Sequence, residues 1–267
     1  MGRHTLEYPK TGDNTVRRHN ERASYALETI HRLINSSQIV NVAFTNPESP
    51  FPVVLPMIGQ MGSFDRPSAD IGDPLDLYIH GYVSARMFNV TRTAEKKEEG
   101  QTEEEKKGLP VTISASHVDA LILATSGFNH SYNYRSVVLF GYATLVEDEE
   151  EKKYALELIT NGLVPERWQK TRQPPTKAEM TSTSVLKVRI TSGSAKIRDG
   201  GVLDDKHDLQ NEEAQNSVWT GVLPIYSTVG EPIPTSYNKV EVPSNVSDFV
   251  KDYNAENKEY ALTAAKK

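Results

Sequence analysis

Three stretches of this sequence gather the side chains that hold an anion. His80-Gly81-Tyr82-Val83-Ser84-Ala85-Arg86 follows a short apolar run. Gly81 permits a tight turn, Ser84 can cap a helix beginning after it, and the free N–H groups of a first helical turn attract negative charge. Arg86 adds a planar fork matched to phosphate oxygens. An ordinary strand-to-helix corner with an exposed arginine would have the same pattern. The second stretch, His130-Ser131-Tyr132-Asn133-Tyr134-Arg135-Ser136, precedes the most apolar run of the chain. Its hydrogen-bonding and stacking side chains are poor core material, and a plain polar loop is the alternative. The third is Ser194-Ala195-Lys196-Ile197-Arg198-Asp199-Gly200-Gly201. Extended, it places Lys196 and Arg198 on one face, a two-cation clamp for a phosphate dianion or simply two surface cations. Trp168 and Trp219, the only 2 tryptophans, lie among polar neighbours, where either can stack on a flat ligand or anchor a loop.

Other chemistries are missing. There is no G-x-G-x-x-G, no G-x-x-x-x-G-K-[ST], no H-E-x-x-H and no G-x-S-x-G. Cysteine is absent, which removes disulfides, thiolate metal sites and thiol nucleophiles together. The 7 histidines are dispersed. His117 and Asp119 share a strand face, a spacing more common for a surface hydrogen bond than for a metal. His130 and Ser131, adjacent on an extended chain, face opposite sides. With 30 Lys+Arg against 36 Asp+Glu, the net charge of −6 has the wrong sign for nonspecific nucleic-acid binding. Val137 to Val146 is about half the length that crosses a bilayer, the amino terminus has no apolar signal core, and Leu6 stands where myristoylation wants Ser or Thr. A cytoplasmic protein with a small-molecule substrate, no membrane and no nucleic-acid partner is the expectation.

The elements that must position these residues are mostly strands. Residues 1–15 hold little to bury and are expected to be mobile or draped over the surface. Helical spacing of Ala23, Ala26, Leu27, Ile30, Leu33 and Ile34 predicts a helix from Val16 to Asn35, capped by Asn14 or Thr15. Strands are predicted at 39–44, 53–58, 75–79, 111–115, 121–124, 137–146, 185–190 and 218–226. Pro56 marks its strand as an edge, a bulge or a strand end. In 185–190, Leu186, Val188 and Ile190 face inward and Lys187 and Arg189 outward. Residues 93–108, TAEKKEEGQTEEEKKG, form a charge block read as a solvated insertion. A second amphipathic helix is predicted over 149–163 and a short one over 247–253. Many strands with two good helices, and no regular alternation, exclude a doubly wound sheet and favour a mainly antiparallel barrel with peripheral helices.

Taken in order, Arg17-Arg18 with Glu21-Arg22, LYIHGYVSAR, HSYNYRSVVLFGYATLV, Glu166-Arg167-Trp168, SAKIRDG and VWTGVLPI resemble the flavin-nucleotide-binding, pyridoxamine-phosphate-oxidase-like split barrels, in the branch related to Nim-type nitroimidazole resistance proteins. The resemblance spans about residues 16–226. It implies a six-stranded antiparallel split β-barrel over 16–226 and a homodimer binding FMN between its subunits; the C-terminal extension over 227–267 is an addition to the family's pattern. It implies phosphate contacts from Ser84 and Arg86, and a strand along the flavin ring at Val54, Leu55, Pro56 and Met57. Further flavin contacts are implied at Tyr134, Arg135 and Ser136, with His80 as a candidate for cofactor chemistry. Lys196 and Arg198 are added on charge and Trp168 for stacking. No arginine–histidine segment for a vitamin B6 substrate is present near the carboxy terminus, so B6 oxidation is not expected. The expected activity is an FMN-dependent oxidoreductase passing electrons from a reduced donor to a small nitro or quinone acceptor, with His80 as the proton-transfer residue. The alternatives are a non-catalytic flavin store and a haem-binding split barrel with an axial ligand from His80, His117 or His130.

Overall fold

A computed structural model describes residues 5–97 and 108–267 of the chain. In order these form a single 3-10 turn at Asn20–Arg22, β1 (Ala23–Ser24), α1 (Leu27–Asn35), β2 (Val40–Thr45), β3 (Pro52–Met57), β4 (Gly59–Gly62), β5 (Asp76–Tyr82) and α2 (Arg86–Lys97). There follow β6 (Leu109–Leu123), β7 (Ser131–Leu145), α3 (Glu149–Leu163), α4 (Lys177–Ser182), β8 (Thr183–Arg198), α5 (Glu212–Ser217), β9 (Gly221–Pro224) and α6 (Ser244–Ala264). The strands join one 9-stranded sheet in the order β3-β2-β6-β7-β8-β5-β4, with β1 on β8 and β9 on β6. This is the expected mainly antiparallel class, with nine strands in place of six.

The chain divides into two compact units, Met1–Ala115 with Ser136–Ala195, and Ser116–Arg135 with Lys196–Lys267. Each of the long strands β6, β7 and β8 therefore begins in one unit and ends in the other.

The first unit holds the main core. Val40, Val42 and Phe44 of β2 alternate inward with Ile113 and Val111 of β6, and Leu77, Ile79, Leu186 and Val188 complete it. Leu27, Ile30, Leu33 and Ile34 of α1 pack on it at helical spacing. The helix expected from Val16 begins only at Leu27. His19 adopts φ 54, a left-handed conformation that a helix cannot contain, and Ala26 before α1 is extended. Residues 5–15 are packed down: Tyr8 is buried and its hydroxyl meets His31 Nε2 at 2.7 Å. β3 lies at the end of the sheet, the first of the three places Pro56 allowed, with Pro56 opposite Asn41.

Lys187, expected to face outward, does lie opposite Leu186 and Val188 on β8, but α3 covers that face. Lys187 Nζ stands 2.9 Å from Glu151 Oε1, 3.5 Å from Asp65 and 3.7 Å from Asp76. The Tyr78 hydroxyl donates to the same Glu151 oxygen at 2.7 Å. Beside this network Tyr78, Ala155, Ile159 and Val185 form a second apolar cluster. α3 keeps its expected bounds because Asp148 caps it, accepting from Glu151 N, and Glu149, Glu150 and Glu151 face its positive end.

Four further expectations change. The strands at 111–115 and 121–124 are one continuous strand, β6. The polar segment 131–136 is the start of β7 rather than a loop, its inward Asn133 fully bonded. The strand at 218–226 shortens to Gly221–Pro224. The short tail helix is the 21-residue α6. Of the charge block, 93–97 belong to α2 and 98–107 lie outside the described residues.

Candidate functional site

The corner between β5 and α2 is built by local hydrogen bonds. Val83 N donates to Ser182 O at 2.9 Å, and Ala85 N to Tyr82 O at 2.9 Å, turning the chain into α2. Gly81 is required here for packing: a Cβ at that position would lie 2.7 Å from Phe88 Cε2, and Phe88 is fully buried. Asn89 Nδ2 ties back to Ser84 O at 3.0 Å. Arg92 Nη1 donates to Val83 O and to Asn89 Oδ1, both at 2.9 Å. The corner is thus held from beneath by Phe88 and laterally by Asn89 and Arg92.

Above it opens a cleft of about 590 Å³ lined by Ser84, Arg86, Asn89 and Thr93 on one side and by Thr45, Asn46 and Glu48 on the other. Ser84, Arg86 and Asn89 are exposed, and no acidic residue stands in the first turn of α2. Arg86 makes no hydrogen bond or ion pair among the described residues. Ser84 and Arg86 therefore line one solvent-filled space and bring to it a hydroxyl and a guanidinium, the side-chain types that suit phosphate oxygens. The two residues assigned to phosphate binding from the sequence are brought together. Asn89 and Arg92, which brace them, were missed; their helical spacing from Ala85 and Arg86 becomes a signal only once the charge block is recognised as following a helix.

His80 sits in β5 opposite Val185. Its Nδ1 is buried with no hydrogen-bond partner, and burial pushes the imidazole below its usual pKa. A neutral ring with an unengaged nitrogen can accept a proton or ligate a metal. His31 cannot, since Nε2 meets Tyr8 and Nδ1 meets Ile71 O at 2.9 Å. His130 Nδ1 is engaged by Ser126 O at 3.1 Å and by Ala124 N at 3.4 Å.

The β3 residues divide by face. Leu55 and Met57 pack against the core, while Val54 and Pro56 point to solvent. Val54 and Pro56 are thus the two of the four whose side chains are open along β3. Trp168 lines a different groove, of about 280 Å³, with Leu156, Arg172 and Met180. Its indole neighbours are thus not those of Ser84. Ser136 continues β7 into the first unit.

In the second unit the cations are engaged. Arg135 Nη2 and Nε donate to the two carboxylate oxygens of Asp119 at 2.7 and 3.0 Å. Tyr260 of α6 covers the guanidinium, its ring centroid 3.7 Å away. Asp119 therefore serves Arg135, not the His117 pairing considered from spacing. Arg198 is buried, donating to Asn133 Oδ1 at 2.5 Å and to Gly201 O at 3.4 Å. The exposed two-cation clamp expected of Lys196 and Arg198 is not formed, because Arg198 ties the end of β8 to β7. Lys196 and Tyr134 are partly exposed in this unit.

Residues 27–197 match the family model described as pyridoxamine 5'-phosphate oxidase. The chain belongs to the pyridoxamine 5'-phosphate oxidase family. Among solved structures, this family member is similar to the flavocytochrome Anf3 of Azotobacter vinelandii, at 28% identity and TM-score 0.70, over 89% of this chain and 96% of that one. It is also similar to the FAD and heme binding protein of Mycobacterium smegmatis, at 24% identity and TM-score 0.67, over 86% and 97% of the two chains. No curated protein sequence matches the chain. Among the described residues, no helix is long and apolar enough to cross a membrane.

Proposed function

We propose that this member of the pyridoxamine 5'-phosphate oxidase family is a flavin-dependent oxidoreductase that binds FMN, works as a homodimer, and passes electrons from a reduced donor to a small nitro or quinone acceptor. The observation that carries the reading is the cleft at the start of α2, where Ser84 and Arg86 face one space within the segment matched by the family. In this reading Ser84, Arg86 and the first-turn N–H groups of α2 hold the FMN phosphate, and Val54 and Pro56 offer the flat outward face of an edge strand. The flavin, when bound, supplies the electron-carrying chemistry. His80 holds or releases the proton at Nδ1, its neutral form favoured by burial. Vitamin B6 oxidation is not part of the proposal.

The absorption spectrum of the freshly purified protein, with chromatography of the released cofactor, tests this. Flavin bands near ~450 nm with FMN released support the reading. FAD released in its place corrects the nucleotide. A colourless protein that takes up neither flavin on reconstitution overturns it. Tight FMN with no steady-state oxidation of NADH or NADPH favours a flavin store.

A second reading adds haem. It is favoured by the flavocytochrome similarity over nearly the full length of both chains and by the unengaged buried nitrogen of His80. A Soret band near ~400 nm that is lost in His80→Ala supports it.

A further inference from the structure

Trp168 is held by its backbone and left open at its ring. It lies in the loop between α3 and α4, where its N donates to Asn161 Oδ1 at 2.8 Å. Its carbonyl accepts from Thr171 N at 3.2 Å, from Thr171 Oγ1 at 2.7 Å and from Gln173 Nε2 at 2.9 Å. Yet the indole Nε1–H donates to nothing among the described residues. A half-buried tryptophan ordinarily engages that N–H. Thr183, at the start of β8, is half-buried too, and its hydroxyl likewise has no partner among the described residues. Both line the groove of about 280 Å³, together with the apolar side chains of Leu156, Pro175 and Met180.

The walls of this groove are already tied to one another. Arg172 Nη2 donates to both oxygens of Glu179 at 2.6 and 2.7 Å, and Nη1 to Pro174 O at 2.8 Å. Glu179 also closes the capping box of α4 with Thr176. Lys152 Nζ of α3 donates to Met180 O at 2.6 Å, joining the two helices. Little remains to be ordered on binding. The same bonds decide the charge of the occupant. Arg172 and Glu179 are the charged residues of the lining and answer each other, so the groove holds no spare charge for an anion or a cation. What is left is an aromatic ring, apolar walls and the unanswered donors of Trp168 and Thr183. The volume falls just below the ~300–1,000 Å³ usual for ligand pockets, which limits the occupant to a small molecule. We propose that the groove binds a small, flat, uncharged ring bearing a carbonyl oxygen, the ring against Trp168 and the oxygen answering the free donors of Trp168 and Thr183. The lining shares no residue with the Ser84 cleft, and the inference goes beyond the flavin reading without depending on it.

Chromone, two fused rings with one ring carbonyl, is the probe. The full chain has 2 tryptophans, so its nitrogen-15 correlation spectrum shows one indole peak from each, and the peak missing in Trp168→Phe belongs to Trp168. Chromone is expected to move the Trp168 peak saturably and to leave the Trp219 peak in place. Thr183→Val keeps the branched side chain of the strand and removes the hydroxyl. It is expected to raise the dissociation constant read from the Trp168 peak about five- to tenfold. Chromene, the ring system without the carbonyl, is expected to bind about tenfold more weakly than chromone, and chromone-2-carboxylate no more tightly. An unmoved Trp168 peak, or two indole peaks drifting together without saturation, overturns the site. Chromene binding as well as chromone, or a Thr183→Val protein with unchanged affinity, overturns the part given to the donors. Tighter binding of the carboxylate overturns the uncharged class.

Discussion

Asp119 and Arg135 form a bidentate pair with 5 and 14% of their side-chain surface exposed. Removing one member of such a pair leaves the other charged, buried and unanswered. Asp119→Ala is therefore expected to lower stability by about 3–5 kcal/mol in urea unfolding, a loss that surface carboxylates such as Glu28 will not reproduce. Arg86 is the opposite case. It is exposed and unpaired among the described residues, so Arg86→Ala is expected to leave unfolding within about 0.5 kcal/mol while weakening flavin binding by about 1.5–3 kcal/mol in fluorescence titration. His31 combines burial with two hydrogen bonds, and burial pushes its pKa down to about 4. The unfolded imidazole takes its proton near pH 6.5 and the folded one only near 4, so protonation favours unfolding. The stabilisation is complete above about pH 6.5 and is lost as the pH falls towards 4, by up to about 3 kcal/mol. His31→Gln is expected to flatten that part of the stability–pH curve.

Elements explain which expectations held. β2, β5 and α3 were legible because alternation or helical spacing coincided with clear stops, such as Asn46-Pro47 and Gly162 with Pro165. β7 was only half legible. Its apolar half announced itself, while 131–136 had the composition of a loop and became strand because Asn133, on its inward side, bonds Gly200 O and Arg198. The start of α2 was signalled by Ser84 as a cap, but its extent was hidden by the charge block continuing it, although Met87, Phe88 and Thr91 mark its buried face. The contact between β7 and β8 depends on Gly141, where a Cβ would lie 2.4 Å from Arg189 O. The obstacle is backbone, which cannot swing aside as a side chain can. Gly141→Val is expected to cost about 1–3 kcal/mol or more and to accelerate amide exchange in 138–142 and 187–191.

At the scale of the molecule the chain comprises two units that share three strands, and their cores differ in kind. The first is mainly apolar, with Ile30, Ile34, Leu77 and Leu139 fully covered, and takes in His31 and Thr91 as fully buried polar groups. In the second, Ala120, Ile122, Ala261 and Ala264 supply the buried apolar groups, and Asp119, Asn133 and Arg198 are buried with them. If the subunits of the proposed homodimer fold together, stability depends on concentration by mass action. Thermal midpoints are then expected to rise over a hundredfold increase in protein concentration; midpoints that stay constant would mean that the dimer adds nothing to folding.

Local pattern alone determined the β-rich class, the bounds of α3 and the pairing of Ser84 with Arg86 at one corner, and narrowed the strand around Pro56 to an edge, a bulge or a strand end. Each of these follows from side chains a few residues apart, where spacing dictates which share a face. Tertiary structure decided the fate of the remaining cations and of Lys187. Whether a charged side chain meets solvent, a carboxylate or a carbonyl depends on partners far along the chain, here Asp119 for Arg135, Asn133 for Arg198 and Glu151 for Lys187. Taking a charge out of water costs desolvation that only a well-placed partner offsets, and only the folded surroundings supply that partner.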